Sequence, residues 1–352
     1  MPDVQEVFRL ATQKVRPDPG TLERQHRAQR RSAIRRRAGV YSLVAALAII
    51  GAVLALTLPR DESAPPIPGD SLAPTDPLPG NYILSISTGA LTPLSIADGT
   101  EFDVSADGSR VAYTADVSGH PQIWISNLDG TDAHAVTRDP LGAEFASWSP
   151  DGRQLAYAGF GAASSDRSVF VVDLTTGRST KITDEPVDVW RMDWSPDGQQ
   201  ILYSVAIAGT PDTTGTGAGA IFQLRTVDVV TGEVDKIAGD RDALASEGTW
   251  SPDGTSIAYN QGIDSPTQLG FDPAEIWTMD TDGGNPQLLL AVPQPAIGAD
   301  WSRDGTSIAY TVAAGDATTI HIVDADSGAD TFVGVGAFPT WVDADRLIVE
   351  VI

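Results

Sequence analysis

One phrase recurs along two-thirds of this chain and restricts the folds open to it. Trp148-Ser-Pro-Asp-Gly152 is followed by Leu155-Ala-Tyr157, and Trp194-Ser-Pro-Asp-Gly198 by Ile201-Leu-Tyr203. Trp250-Ser-Pro-Asp-Gly254 precedes Ile257-Ala-Tyr259, and Trp301-Ser-Arg-Asp-Gly305 precedes Ile308-Ala-Tyr310. A looser copy opens the series at Val104-Ser-Ala-Asp-Gly108, and a shortened one closes it at Trp341-Val-Asp-Ala-Asp345. Asp-Gly suits a tight hairpin, because glycine adopts positive φ without strain. The apolar-Ala-Tyr triplet reads as the strand after the turn. A hairpin repeated at this interval predicts a ring of small sheets, a β-propeller.

The rest of each repeat completes a blade. A third strand such as Val169–Val172, Ile276–Met279 or Ile320–Val323 runs into a second turn, at Gly177, Gly232, Gly283 or Gly328. A fourth strand follows, as at Thr180–Thr183 or Gln287–Leu290. From Asp107 to Asp151, Asp197, Asp253 and Asp304 the steps are 44, 46, 56 and 51 residues. The excess lies mostly between second and third strands, in Ser204–Ala220 and Asn260–Ala274. The segment Tyr82–Gly89 reads as a third strand and turn with no hairpin before it. The segment after Pro339 reads as a hairpin with nothing following. The two halves predict one blade shared by both ends of the domain, hence an all-β, six-bladed propeller of four-stranded blades over residues 81–352 with no open seam.

Five of the seven Tyr occupy one repeat phase and five of the eight Trp another. Packing between blades accounts for them, since large apolar side chains bury the most area there. The recurring Asp is read as a turn residue before it is read as a ligand.

A different composition precedes the ring. Residues 1–39 hold ten Lys and Arg against four Asp and Glu, while the remaining 313 residues hold 13 basic and 43 acidic groups. Val40–Leu58 is 19 residues without a charge. At about 1.5 Å per residue it spans roughly 28 Å, so a transmembrane helix is expected over 40–58. Arg30, Arg31, Arg35, Arg36 and Arg37 on its N-terminal side predict a cytoplasmic N-terminus and an extracytoplasmic ring. A cleaved signal peptide has a shorter charged region and a small-residue cleavage site, and neither is present. Residues 59–80 hold seven Pro in 22 positions, which reads as an extended stalk. Val4, Phe8, Ala11 and Val15 recur at helical spacing in the arm. That face is expected either to rest on anionic lipid or to dock a cytosolic partner.

The Trp-Ser-Pro-Asp-Gly…Ile-Ala-Tyr pattern resembles the TolB-like propellers over roughly residues 80–352. The resemblance implies the fold and an envelope-associated binding role. The arm, span and stalk stand where the family has a separate N-terminal domain, so Tol-system partners are not carried over. The overall plan is also similar to membrane-anchored propellers of high-GC Gram-positive bacteria, some of which carry a stretch like Phe8–Gly20 before the span. That likeness implies reporting to a cytosolic regulator.

Motifs for chemistry are missing from the sequence. His26, His120, His134 and His321 lack metal-ligand spacing. There is no Gly-x-Ser-x-Gly elbow and no phosphate loop. The acidic ring argues against nucleic acid. No cofactor is expected. Acidic residues recur in the loops between second and third strands: Asp116, Asp166, Asp212, Asp264, Asp272 and Asp316. The blade-to-blade connections add Asp139, Asp184, Glu185, Asp188, Asp240 and Asp242 on the same rim. These loops are the expected contact surface for a protein, peptide or envelope polymer. The expected role is therefore a membrane-anchored, non-enzymatic binding or scaffold module. The alternative is a polysaccharide lyase or hydrolase using the central funnel, which requires ionisable groups converging there.

Overall fold

A computed structural model describes residues 78–96, 99–161, 167–184, 187–208, 220–239, 244–263, 272–292, 294, 296–314 and 317–351. The predicted arm, span and most of the stalk lie outside the described residues. Among the described residues no helix is long and apolar enough to cross a membrane.

Six four-stranded antiparallel sheets form the ring. Blade 1 comprises Thr100–Val104, Arg110–Val117, His120–Asn127 and His134–Ala135. Blade 2 comprises Ala143–Trp148, Gln154–Phe160, Arg167–Asp173 and Arg178–Lys181. Blade 3 comprises Asp188–Trp194, Gln200–Ala208, Ala220–Asp228 and Val234–Ala238. Blade 4 comprises Leu244–Trp250, Ser256–Ile263, Asp272–Asp280 and Gln287–Ala291. Blade 5 comprises Ala296–Trp301, Ser307–Ala314, Ala317–Asp324 and Asp330–Val335. The outer strand of blade 2 starts two residues before the predicted one, directly after the turn at Gly177.

Blade 6 joins the two ends of the domain, as the complementary half-blades predicted. Ala337–Trp341 and Arg346–Val351 supply its inner strands, and Gly80–Ser85 and Leu91–Pro93 its outer ones. Tyr82 sits opposite Val349, and Leu84 opposite Leu347. The first strands of successive blades touch around a closed circle, with blade 6 meeting blade 1.

The repeat phrase has a local physical cause. In each of blades 1 to 5 the buried Ser hydroxyl donates to the Asp two residues on: Ser105 to Asp107, Ser149 to Asp151, Ser195 to Asp197, Ser251 to Asp253 and Ser302 to Asp304. The same hydroxyl accepts the backbone N–H of the residue five on, such as Gln154 at 2.9 Å. The Asp also accepts the N–H two residues on, such as that of Arg153 at 3.0 Å. These bonds hold the carboxyls of Asp151, Asp197, Asp253 and Asp304 below their ordinary value, although the groups are solvated. The turn Asp is thus consumed by its own turn.

Gly152, Gly198, Gly254 and Gly305 have φ of +66°, +72°, +71° and +73°. Replacing any one by Val is expected to cost about 1–3 kcal/mol by backbone strain. Urea titration of the four variants checks this, and four unchanged midpoints would contradict it.

The aromatic phases pack between blades. Trp194 and Tyr203 of blade 3 share one apolar cluster with Ala156, Val169 and Val171 of blade 2. Trp250 and Tyr259 of blade 4 meet Leu202 and Leu224 of blade 3. Tyr310 of blade 5 meets Ala258 and Ile276 of blade 4.

Candidate functional site

The first strand of every blade lines the axis, and every first strand breaks register with the second. The irregularity falls three residues before the repeat Trp, or before Val104 in blade 1. The residues there are Glu101, Phe145, Arg191, Glu247, Gly298 and Phe338. Five of them hold left-handed φ: Glu101 at 56°, Phe145 at 58°, Glu247 at 54°, Gly298 at 73° and Phe338 at 51°. Bulges of this kind re-aim side chains and recur beside functional sites. A side chain other than glycine held at such φ stores roughly 1–2 kcal/mol of strain.

The strain is held by specific bonds to the bulge N–H groups. Glu101 accepts from Phe145 at 3.2 Å, Ser204 from Glu247 at 2.7 Å, and Thr311 from Phe338 at 2.8 Å. Gly298 donates to Glu247. Each bond crosses from one blade to the next.

This end of the axis is rich in charge and aromatic surface. Arg167 lies between Glu144, at 2.9 Å, and Asp188. Phe160, Phe145 and Trp190 surround its guanidinium, with ring centroids 4.7, 5.7 and 5.9 Å away. Such cation–π contacts strengthen when desolvated. Burial, reinforced by the Glu144 charge, pushes the Glu101 carboxyl up to about 7. Glu101 is nonetheless exposed to the lumen, so its shift converts to less free energy than that of a dry carboxylate. Arg191 reaches across the lumen from blade 3 to Asp300 of blade 5, at 3.9 Å. A Cβ at Gly298 would stand 3.7 Å from the Arg191 Nη1, an ordinary contact, so it is the φ of +73° that favours glycine there.

Deeper in, the residue before each repeat Trp, or before Val104 in blade 1, alternates around the ring. Asp103, Asp193 and Asp300 occupy blades 1, 3 and 5, while Ser147, Thr249 and Thr340 occupy blades 2, 4 and 6. The three carboxylates accept the backbone N–H of Trp148, Trp250 and Trp341 of the next blade, at 2.6, 2.7 and 2.9 Å. Burial pushes Asp103 up to about 6 and Asp193 up to about 7, and it raises Asp300. At the far end Arg303, standing where blades 2, 3 and 4 have Pro, donates to Val342 O and Ala106 O at 3.0 and 2.6 Å. It also reaches Ser105 O at 2.8 Å, so blades 5, 6 and 1 are tied there.

The acidic loop residues fare differently. Asp116 is exposed and accepts Gly119 N–H at 2.7 Å within its own turn. Asp272 begins the third strand of blade 4, half a ring away from Asp116. Asp166, Asp212, Asp264 and Asp316 lie outside the described residues. The described residues therefore do not bring the loop acids together. Among the described residues no group of three His, Asp or Glu has the geometry of a metal site.

Sequence reasoning passed over the bulge ring. Its signal was available: a fixed phase of a strong repeat occupied by unlike residues, Glu, Phe, Arg, Glu, Gly and Phe. Repetition marks what the blade needs, and departure from it marks what is spare for other use.

No family model matches the chain. It is similar to the Tol-Pal system protein TolB of Albidiferax ferrireducens, 30% identical over 76 residues, which is 22% of this chain and 17% of that protein. It is also similar to dipeptidyl-peptidase 5 of Porphyromonas endodontalis, 40% identical over 67 residues, 18% of this chain and 10% of that one. The matched stretches are thus a small part of either relative. Among solved structures, a putative TolB from Agrobacterium tumefaciens superimposes with a TM-score of 0.60 at 16% identity, over 77% of this chain and 96% of that one. TolB from Acinetobacter baumannii gives 0.55 at 18% identity, over 75% and 67% of the two chains. The fold is that of a TolB-like six-bladed propeller.

Proposed function

We propose that this TolB-like six-bladed propeller is a non-enzymatic binding module of the cell envelope, held to the membrane by residues 40–58. Its contact surface is the rim where the second-to-third-strand loops and the open end of the axis lie. The observation that carries this reading is the bulge ring. Strained backbone places Glu101, Glu247, Phe145 and Phe338 around that opening, where, besides the seam bonds of the two carboxylates and the packing of Phe145 on blade 3, they set charge and aromatic rings side by side. Carboxylates beside aromatic rings suit a partner segment bearing basic residues, consistent with the acidity of the ring. Phe338 is 44% exposed at this opening, the kind of aromatic anchor that dominates protein contacts. Similarity to TolB supports an envelope role. The arm over 1–39 either fixes topology or reports to a cytosolic partner.

The test is cross-linking in intact membranes followed by recovery of bound partners. Phe338→Ala is expected to lower the recovery of a specific partner about tenfold, equivalent to about 1.4 kcal/mol, with the ring still folded. Unchanged recovery with unchanged salt dependence would move the site to the loops or to the arm.

The placement of the ring has its own test. Protease added to cells with a permeable outer layer is expected to remove the propeller and leave the arm protected. Protection of the propeller would reverse the topology.

One observation favours the enzymatic alternative. Ionisable groups do converge on the axis, and Glu101, pushed up to about 7, has the proton affinity of a general acid. Against it, Glu101 accepts bonds from Thr114 and Phe145, and the deeper Asp residues each hold a neighbouring blade. Their arrangement serves the seams. Turnover of an oligosaccharide that is lost in Glu101→Gln, with partner recovery intact, would decide for the enzyme.

A further inference from the structure

The outermost strand of each blade is a free sheet edge, open to pairing unless something guards it. Four of the six edges are guarded by short length, by Pro or by charge. His134–Ala135 has two residues, and Leu91–Pro93 has three and ends in Pro. Arg178–Lys181 has a cation at each end, and Val234–Ala238 carries Asp235 and Lys236. The neighbouring edges Gln287–Ala291 and Asp330–Val335 have no charge except Asp330 at the start of the second, and each has one bulge against the third strand, at Leu289 and at Val333. They also hold Leu288, Phe332 and Val335, which are 48%, 59% and 42% exposed. Asp330–Val335 has six residues, more than any other outer strand.

A groove of about 340 Å³ lies between these two blades, lined by Leu290, Val292, Val312 and Thr319, with Tyr310 and Asp330 among its polar groups. Phe332 pairs across the sheet with His321 and meets its ring edge-on, with centroids 5.7 Å apart. The His321 ring stands 5.6 Å from that of Tyr310, which packs on blade 4. Phe332 therefore stands on the face turned to blade 4, beside the groove. At the turn end of the same edge are Asp324, Asp326 and Asp330. Among the described residues, Asp330 is the one of these that meets a basic side chain, His321 at 3.1 Å.

We propose that Asp330–Val335 accepts an extended strand from a partner protein as a fifth strand of blade 5. The added strand runs antiparallel, like every other pair in that sheet. It sets an apolar side chain beside Phe332 over the groove and a Lys or Arg near its C-terminal end, against Asp330 and Asp326. Backbone bonds supply affinity in this mode of recognition, and alternate side chains supply selectivity. Charge decides against a second copy of this chain as the occupant. Residues 40–352 hold 43 acidic groups against 13 basic ones, and antiparallel self-pairing brings no cation to the Asp cluster. The site is separate from the axial opening.

The probe is a short peptide alternating threonine and valine, with lysines at its C-terminal end, added to the full-length chain. Saturating peptide is expected to slow amide exchange of 330–335 by about tenfold or more, with other edges unaffected. Thr331→Lys with Val335→Lys installs the missing guard and is expected to abolish binding while leaving the thermal midpoint nearly unchanged. A peptide with glutamates in place of the lysines is expected to bind about tenfold more weakly. Phe338→Ala is expected to bind the peptide normally, which separates this edge from the axial opening. No slowing at 330–335, or equal binding by the Lys variant, overturns the proposal. Dimers in sedimentation that the Lys variant loses would assign the edge to a second copy and overturn it as well.

Discussion

Deleting residues 337–352 is expected to abolish cooperative unfolding of the entire ring, not of one blade alone. Arg346–Val351 pairs along its whole length with Gly80–Ser85, so the deletion strands both the N-terminal half-blade and the seam with blade 5. Trp341, Leu347 and Val349 leave a cluster that includes Leu84, Ala309 and Ile320. Val342 and Ile348 leave a second cluster, with Val104 and Tyr113 of blade 1. Fully burying each such side chain is worth about 1.5–3 kcal/mol, so the loss approaches or exceeds the roughly 5–15 kcal/mol stability of a typical domain. The hydrogen bonds from Trp341 to Asp300 and from Arg303 to Val342 O go too, so the buried Asp300 carboxylate loses its backbone N–H donor and keeps its ion pair with Arg191. Calorimetry is expected to show no sharp transition for the truncated chain. A truncated ring that melts in one step near the wild-type midpoint would show that closure is not what holds the blades together.

The ring is also expected to be more stable at pH 5 than at pH 8. Burial first, and then the charges of the other axial carboxylates, raises Asp193 to about 7. Burial likewise takes Asp103 to about 6 and raises Asp300, whose neighbour Arg191 offsets part of the effect. A carboxyl with a folded pKa above its unfolded value binds its proton more tightly in the native state. Stability from these groups is therefore greatest below their unfolded value, near 4, and is lost as pH rises through 6 to 7. The turn carboxyls work in the opposite sense. Asp107, at about 2, and its counterparts are depressed, so their contribution is full above about pH 4 and is lost only below it. Between pH 5 and 8 the axial Asp carboxyls titrate, with Glu101 in the same sense, and the turn carboxyls do not, and the expected change is on the order of 2–4 kcal/mol. Asp193→Asn retains an oxygen for Trp250 N–H and removes the charge. It is expected to flatten the pH dependence and to match or exceed wild-type stability at pH 8. Thermal midpoints measured across this range check the sign, and a midpoint that climbs from pH 5 to pH 8 would refute it.

What the sequence determined by itself was everything that repeats. Trp-Ser-Pro-Asp-Gly is legible because its bonds are local: Ser149, Asp151, Gly152 and Gln154 close their turn within six residues. Blade count and shared closure followed from the same phrase and from the half-blades at Tyr82 and Trp341. Interblade packing of Trp and Tyr was legible as well, since one phase carries one environment. The acidic loops were visible as composition, but composition does not show convergence. Of the two described acids among the six singled out, Asp116 caps its own exposed turn, and Asp272 lies half a ring away.

Only the tertiary structure could decide what meets at the axis, because those contacts join residues some 40 to 240 positions apart. Asp103 takes the N–H of Trp148, Asp193 that of Trp250, and Thr340 donates to Phe102 O across the closing seam. The alternation of Asp with Ser or Thr before the repeat aromatic was present in the letters but carried no meaning until the ring placed those residues on one circle. The left-handed backbone of Glu101, Phe145, Glu247 and Phe338 had no local signature either. None is a residue that prefers that conformation, and the N–H groups of Phe145, Glu247 and Phe338 are each held by a neighbouring blade. Local bonds write themselves into a repeat, whereas closure of a ring creates contacts that no single repeat contains.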